Sequence, residues 1–316
     1  MDMNEVTKWT IQVLERSDFI ISRIQGISEM SFDLAARRDE LLLLIKIIRD
    51  RSSLRSEVAG EMKVLAGVLT ASPLILIPSV RGSKEQDGVL YISYGIPLMT
   101  LNTLKDHLIE EVPPMVYYSS GGHFVTLDGP RMRELRNSVG MSLGSLSKEV
   151  GVSRRAVQMY ENGMGVDLDT ALKIEDALGL QLVLPLDPFS RGEELQEIRE
   201  TMSKADNECM EVLDHLNSIG MEVIRTTRCP FDALARRDRD LLMTSIGSED
   251  RSLMEVGSAL SSLTMVTGNE SFLVATGPVK GRSIGGTPLL SVKDVKKTED
   301  IDQLLELIRE RRRKKS

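Results

Sequence analysis

Between Met141 and Gly163 the chain reads Met-Ser-Leu-Gly-Ser-Leu-Ser-Lys-Glu-Val-Gly-Val-Ser-Arg-Arg-Ala-Val-Gln-Met-Tyr-Glu-Asn-Gly. Ser142 suits the N-cap of a helix from Leu143 to Val150, because a serine oxygen can accept from the otherwise unpartnered N–H groups of a first turn. Gly151 supplies a tight turn and Ser153 caps a further helix, Arg154 to Tyr160. Gly163 suits the left-handed residue that closes that helix. Upstream, Pro130 opens a helix that ends before Gly140. Downstream, Leu168 to Leu178 forms a fourth helix before Gly179, and the module runs out at Pro185 and Pro188. Leu135, Leu146, Val150, Val152, Val157 and Leu172 are spaced to fill one small helical core.

This stretch resembles the Cro/repressor (XRE-type) helix-turn-helix family: the apolar anchors, the turn glycine and the closing Glu161-Asn162-Gly163 fall at that family's separations. The resemblance implies that the third helix enters the major groove with its N-terminal side chains on base edges. On that reading Arg154, Arg155 and Gln158 meet bases, since Arg pairs two donors with guanine and Gln pairs with adenine. Asn162 and the helix start at Ser142 then hold phosphates, and Ser153, the cap of the third helix, joins the DNA-binding set. One departure stands out: Leu143 occupies the place where the family often carries a phosphate-binding Gln.

Outward from this module the chain repeats itself. Phe32-Asp-Leu-Ala-Ala-Arg-Arg-Asp-Glu-Leu-Leu-Leu43 matches Phe231-Asp-Ala-Leu-Ala-Arg-Arg-Asp-Arg-Asp-Leu-Leu242 at eight of twelve positions. Chance would give about one match, so the repeat is real. The same gap-free offset sets Phe19–Glu29 beside Ser218–Arg228. Amphipathic helices are expected before each copy, around Val6–Ile24 and Glu193–Ile219, and in copy one Leu54, Val58, Leu65, Val68 and Leu69 form one helical stripe. A second echo pairs Gly95-Ile-Pro-Leu-Met-Thr100 with Gly286-Thr-Pro-Leu-Leu-Ser291, each leading into a charged helix. The expected fold class is multidomain α/β plus all-α: α/β units at 1–112 and 190–316, each folding by itself, flank the helical module at 129–187. A hairpin linker at 113–128 turns at Gly121-Gly122.

Phe32-Asp33 through Lys46 resembles the core of the PD-(D/E)XK nuclease fold. That family holds a divalent metal with an Asp on one strand and an acidic-x-Lys on the next, and it uses the Lys to assist a water. Asp33 and Lys46 fit, but Leu44 stands where the acid belongs. Copy two keeps Asp232 and offers Met243 and Ser245. Both sites therefore read as broken, the alternative being that Glu57 or Glu61, on the next helix, replaces the missing ligand. The Phe-Asp-x-x-Ala-Arg-Arg-Asp stretch of each copy reads as a hairpin, and the plainer role for Asp33 and Asp232 is to brace its arginines, Arg37-Arg38 and Arg236-Arg237.

Composition sets the outer limits. The net charge of −7 argues against coating nucleic acid by bulk charge, so any such contact needs a local basic patch. Cys209 and Cys229 lack metal-ligand spacing, the N-terminus lacks an apolar signal core, and no apolar run suits a membrane, which together suggest the cytoplasm. His107, His123 and His215 are scattered; Tyr117 and Tyr118 suggest packing; Arg309 to Lys315 suggests a frayed, solvated helix end. The whole-chain arrangement resembles the archaeal HTH-type transcriptional regulators. This implies a non-catalytic, cofactor-free and metal-free DNA-binding protein whose partners are double-stranded DNA and a second copy of itself. A nuclease targeted by the helix-turn-helix and an antitoxin-like protein binder are the alternatives.

Overall fold

The computed structural model describes residues 2–24, 30–80, 84–190, 207–247, 251–278 and 281–313. In copy one, helix α1 (Met3–Arg16) precedes strand β1 (Ile20–Arg23), and a hairpin follows, β2 (Leu34–Arg38) and β3 (Leu41–Ile47). Next come α2 (Ser56–Leu69), β4 (Ser72–Ile77), a second hairpin of β5 (Val89–Ser93) and β6 (Ile96–Thr100), and α3 (Leu101–Leu108). The central module holds β7 (Val116–Ser119), β8 (Gly122–Leu127), α4 (Gly129–Ser138), α5 (Leu143–Val150) and α6 (Arg154–Tyr160). It continues through β9 (Val166–Asp167), α7 (Leu168–Leu178) and β10 (Val183–Leu184). Copy two repeats the first order with α8 (Asn207–Ser218), β11 (Glu222–Arg225), β12 (Ala233–Arg237), β13 (Asp240–Gly247) and α9 (Arg251–Thr267). After these follow β14 (Glu270–Ala275), β15 (Ser283–Ile284), β16 (Thr287–Ser291), α10 (Val292–Lys296) and α11 (Ile301–Arg313). Among the described residues no helix is long and apolar enough to cross a membrane.

The shared motif takes the same local structure in both copies. Phe32 and Phe231 are buried, as are Ala36 and Ala235 within the hairpin strands β2 and β12. Asp39 and Asp238 both take positive φ, 52° and 51°, in the two-residue turns, a conformation Asp tolerates better than most residues. The second echo is structural as well. Thr100 and Ser291 end equivalent strands, and each hydroxyl caps the helix that follows by accepting from the N–H of Thr103 or Asp294.

Two sequence expectations are corrected here. The helix around Val6–Ile24 stops at Arg16, because Asp18 adopts φ 61° and the chain then turns into β1. The gap-free offset also fails before the hairpin: Ala35 pairs with Ser22, whereas its counterpart Leu234 pairs with Ile224. Copy one therefore carries three more residues between its first two strands than copy two, as 224 minus 22 exceeds 234 minus 35 by three. Residues 193–206 of the helix expected around Glu193–Ile219 lie outside the described residues; its remainder is α8.

The chain forms two compact units, and these cut across the copies. One unit contains residues 1–17, 48–53 and 74–190; the other contains 18–47, 54–73 and 191–316. In the first, strands run in the order β4-β6-β5-β7-β8-β10, with β9 also on β8. In the second, β1-β2-β3 of copy one accompanies the sheet β11-β12-β13-β14-β16-β15 of copy two. The copies do not fold separately: α9 packs on β1 and β2. The N–H of Ser31 donates to the carbonyl of Arg228 at 2.7 Å. Glu61 of α2 accepts from the N–H groups of Thr227 and Arg228 at 2.8 and 3.0 Å. Burial and the nearby Glu61 charge push the Cys229 thiol well up from its ordinary range.

Candidate nucleic-acid interface

Local capping chemistry fixes the helices of the central module. Asp128, Ser142, Ser153 and Asp167 each accept from the N–H three residues on, at 3.0 Å in every case. Gly151, Gly163 and Gly179 turn the chain with φ of 81°, 90° and 67°. Val125, Leu127, Met132, Leu146, Val150, Val157, Tyr160, Ala171, Ile174 and Leu178 form the core. The hairpin β7–β8 supplies Val125 and Leu127 to it, and β8 pairs with β9 and β10, so these strands are one face of the helical module. Leu172 does not join that core. It is 51% exposed, because the caps set a helical phase that turns Ala171, Ile174 and Leu178 inward.

Helix α6 has two faces. Val157 and Tyr160 point inward, while Arg154, Arg155 and Gln158 are exposed. Arg154 and Gln158 are one turn apart and therefore neighbours on the outer face. Neither Arg154 nor Arg155 forms a side-chain hydrogen bond or ion pair with the described residues, so their donors are available to a ligand. Ser142 and Ser153 already accept cap hydrogen bonds. Ser142 Oγ also lies 2.9 Å from Ser145 Oγ. Leu143 packs against the core instead of facing outward, which accounts for the absence of a Gln there.

A charge network missed by the sequence reading ties α6 to α4. Glu161 is 3% exposed and accepts from Arg136 Nε at 2.6 Å and Arg133 Nε at 3.2 Å. Arg136 also donates to the carbonyl of Met141 and to Asn137 Oδ1. Arg133 Nη2 donates to Asn162 Oδ1 at 2.8 Å, which leaves the Asn162 amide N–H groups as its donors toward a ligand. The start of α4 runs so close to the end of α6 that a Cβ on Gly129 would collide with the carbonyl of Glu161. The signal was present: Arg136 lies one turn after the buried Met132, on the inward stripe of its own helix.

The nuclease-like positions are occupied by intramolecular contacts. Asp33 accepts from Lys46 Nζ at 2.9 Å and from the N–H of Ile47 at 2.6 Å, and Lys46 also donates to the carbonyl of Met30. Asp232 repeats the arrangement with Ser245 Oγ at 2.8 Å and the N–H of Ile246 at 2.7 Å. Both aspartates thus brace the neighbouring strand and not the hairpin arginines, which corrects the sequence reading. Arg38 lies over the Phe19 ring, and Arg236 pairs with Glu222. Leu44 is fully buried and carries no oxygen, Glu57 is an exposed residue bonded to Ser56, and Glu61 holds the 227–229 segment. Among the described residues no group of three or more His, Cys, Asp or Glu converges. This donor set does not fit the divalent ion of the nuclease fold, which needs several oxygen ligands.

The remaining residues have structural partners. His215 contacts the carbonyl of Thr298, His123 meets Tyr118 edge-on, and His107 lies against Phe189. Tyr117 stacks on Phe124. The basic C-terminal run is not frayed over its described part: Arg309 and Arg312 pair with Glu270, and Arg311 pairs with Asp294. Residues 314 and 315 of that run lie outside the described residues.

Comparison with known proteins agrees with these parts. The PD-(D/E)XK superfamily domain matches residues 3–114, and the helix-turn-helix family matches residues 132–184. A relative from Methanocella arvoryzae, bearing the name "Putative HTH-type transcriptional regulatory protein", is 33% identical; the match covers 97% of this chain and 96% of the relative. Relatives of the same description from Methanosarcina barkeri and Natronomonas pharaonis are 33% and 34% identical, each covered over 95% of its length, with 96% and 95% of this chain matched. No solved structure matches the chain significantly. With such similarity along nearly its whole length, the chain belongs to the family of archaeal HTH-type transcriptional regulatory proteins.

Proposed function

We propose that the protein regulates transcription by binding a specific duplex DNA sequence through α6. The observation that carries this reading is the exposed Arg154–Arg155–Gln158 face on a helix fixed from behind by the buried Arg136–Glu161 pair. A packed helix whose Arg and Gln donors have no partner among the described residues can hold them at base edges, where bidentate pairing distinguishes one base pair from another. Ser142, Ser153 and Asn162 lie at helix termini and serve the phosphate backbone. The net charge of −7 leaves this contact local, so affinity rests on few phosphate contacts and on base reading.

In this reading the nuclease-like parts are scaffold, and the protein is not an enzyme. Asp33 and Asp232 support the strand beside them, and the metal ligands of a nuclease have no counterpart at Leu44 and Met243. A single recognition helix reads only a short site. A two-fold dimer on half-sites about 10 bp apart, or a multiple of that, supplies the remaining specificity. The protein would act in the cytoplasm, beside the chromosome. Fluorescence anisotropy on duplexes chosen from a random pool, set against random competitor, tests the reading. Specific binding at least about a thousandfold tighter than the competitor is expected. Equal affinities would overturn it.

A further inference from the structure

Copy two contains a cavity of about 1140 Å³ at the carboxyl ends of its parallel strands, formed by none of the helix-turn-helix residues. Strands β13, β14 and β16 run parallel and deliver their ends to one edge of the sheet. Beyond that edge the turn at Thr276–Pro278, the strand-to-helix junction at Ser291 and helices α8 and α11 form the walls. In a sheet of this kind the side chains and turns past the strand ends converge on a crevice, which is where α/β proteins place ligands.

The lining is cationic in a chain of net negative charge. Arg282, Lys293, Lys296 and Arg311 face Glu211 and Asp294. Both carboxylates are already matched: Lys296 pairs with Glu211 at 2.9 Å and Arg311 with Asp294 at 3.2 Å. Asp294 is further held as an anion by the N–H of Ser291. Arg282 and Lys293 are exposed and form no side-chain hydrogen bond or ion pair with the described residues. Among the described residues the cavity therefore holds two unpaired positive charges beside two shared ones. A guanidinium offers paired donors to a phosphate and an ammonium a compact charge, which together suit a di- or triphosphate better than a single carboxylate.

We propose that this cavity binds a small polyphosphate-bearing ligand of nucleotide size, with Arg282 and Lys293 as its primary anchors. The site is independent of the helix-turn-helix, so it stands or falls apart from the DNA reading.

The test uses the full chain and isothermal titration with ATP and with inorganic pyrophosphate at fixed ionic strength. The comparison protein carries Arg282→Gln and Lys293→Gln together, changes at exposed side chains that leave the unliganded melting temperature unaltered. Saturable binding of at least one probe, weakened roughly tenfold or more in the double variant, is expected. Binding of ATP without pyrophosphate assigns a nucleoside contact, and binding of both assigns a polyphosphate site. Absence of saturable binding by either probe, or equal binding by the two proteins, overturns the proposal. So does a third result: no probe binding, with duplex DNA held more weakly by the double variant regardless of sequence and with a shallower salt slope. That would make the cavity edge a DNA-backbone contact.

Discussion

Arg136 Nε lies 2.6 Å from Glu161 Oε1, with 9% and 3% of the two side chains exposed, so the central module holds an ion pair inside its own core. A buried charge is tolerable only when its partner and hydrogen bonds are present, and removing one member leaves the other stranded. Glu161→Ala should therefore cost about 3–5 kcal/mol in denaturant unfolding of the helical module. Arg133, whose side chain is 49% exposed, also contacts Glu161, yet Arg133→Ala should cost no more than about 1 kcal/mol. Equal losses would mean that the exposed arginine, not the buried one, carries the network.

Asp167 caps α7 by accepting from Thr170 at 3.0 Å. Hydrogen bonding from Thr170, aided by the charge of Lys173 and opposed by partial burial, holds its carboxyl below the ordinary value. The folded state thus favours the anion. The resulting stability is present above the unfolded-state pKa and is lost as the pH falls through the lower, folded value. Asp167→Ala should cost about 1 kcal/mol at neutral pH. Asp167→Asn should keep an acceptor while flattening the acid limb of the stability profile. An unchanged acid limb in Asp167→Asn would assign that limb to other carboxylates.

Glu61 joins the two copies within one compact unit through the N–H groups of Thr227 and Arg228. Glu61→Ala should cost about 1–3 kcal/mol, since those donors lose their acceptor. It should also speed thiol labelling of Cys229. The loss of the neighbouring negative charge lowers the thiol toward its ordinary range, and the opened segment admits the reagent. A labelling rate equal to that of the unmodified protein would show that Glu61 does not hold this segment.

Asp33 is read as a brace, so the protein should not cleave supercoiled, linear or branched DNA in magnesium or manganese. Asp33→Ala should instead lower stability by about 1.5–3 kcal/mol through the loss of hydrogen bonds to a charged acceptor. Metal-dependent cleavage that disappears in Asp33→Ala would restore a catalytic role.

How legible these features were depended on how local their causes are. Helices α5, α6 and α7 follow from Ser142, Ser153 and Asp167 and from the glycines after them, because a cap and a left-handed terminus lie within a few residues of what they control. The hairpin of each copy was legible for the same reason. Leu172 departs from expectation because its apolar spacing suggests burial, while the cap at Asp167 decides the phase. The helical period of α4 places Arg136 on the inward stripe, but its partner Glu161 lies 25 positions away, beyond the reach of any local pattern. Packing of α9 on copy one's strands was likewise invisible: an amphipathic helix shows that it must be covered, not by what. The proposed recognition residues follow from the family resemblance, and the structure adds that they are exposed on a helix backed by the Arg136–Glu161 pair.

The most direct measurement is selection of bound sequences from a pool of randomised duplexes, run in parallel for the unmodified protein and for Arg154→Ala and Arg155→Ala. The account predicts one enriched motif with two-fold symmetry, and half-sites about 10 bp apart or a multiple of that. Each substitution should weaken binding to that motif by about 1–3 kcal/mol and relax base choice at defined positions, with random DNA little affected. An unenriched pool, or the same motif recovered at unchanged affinity from all three proteins, would contradict the claim that α6 reads the sequence.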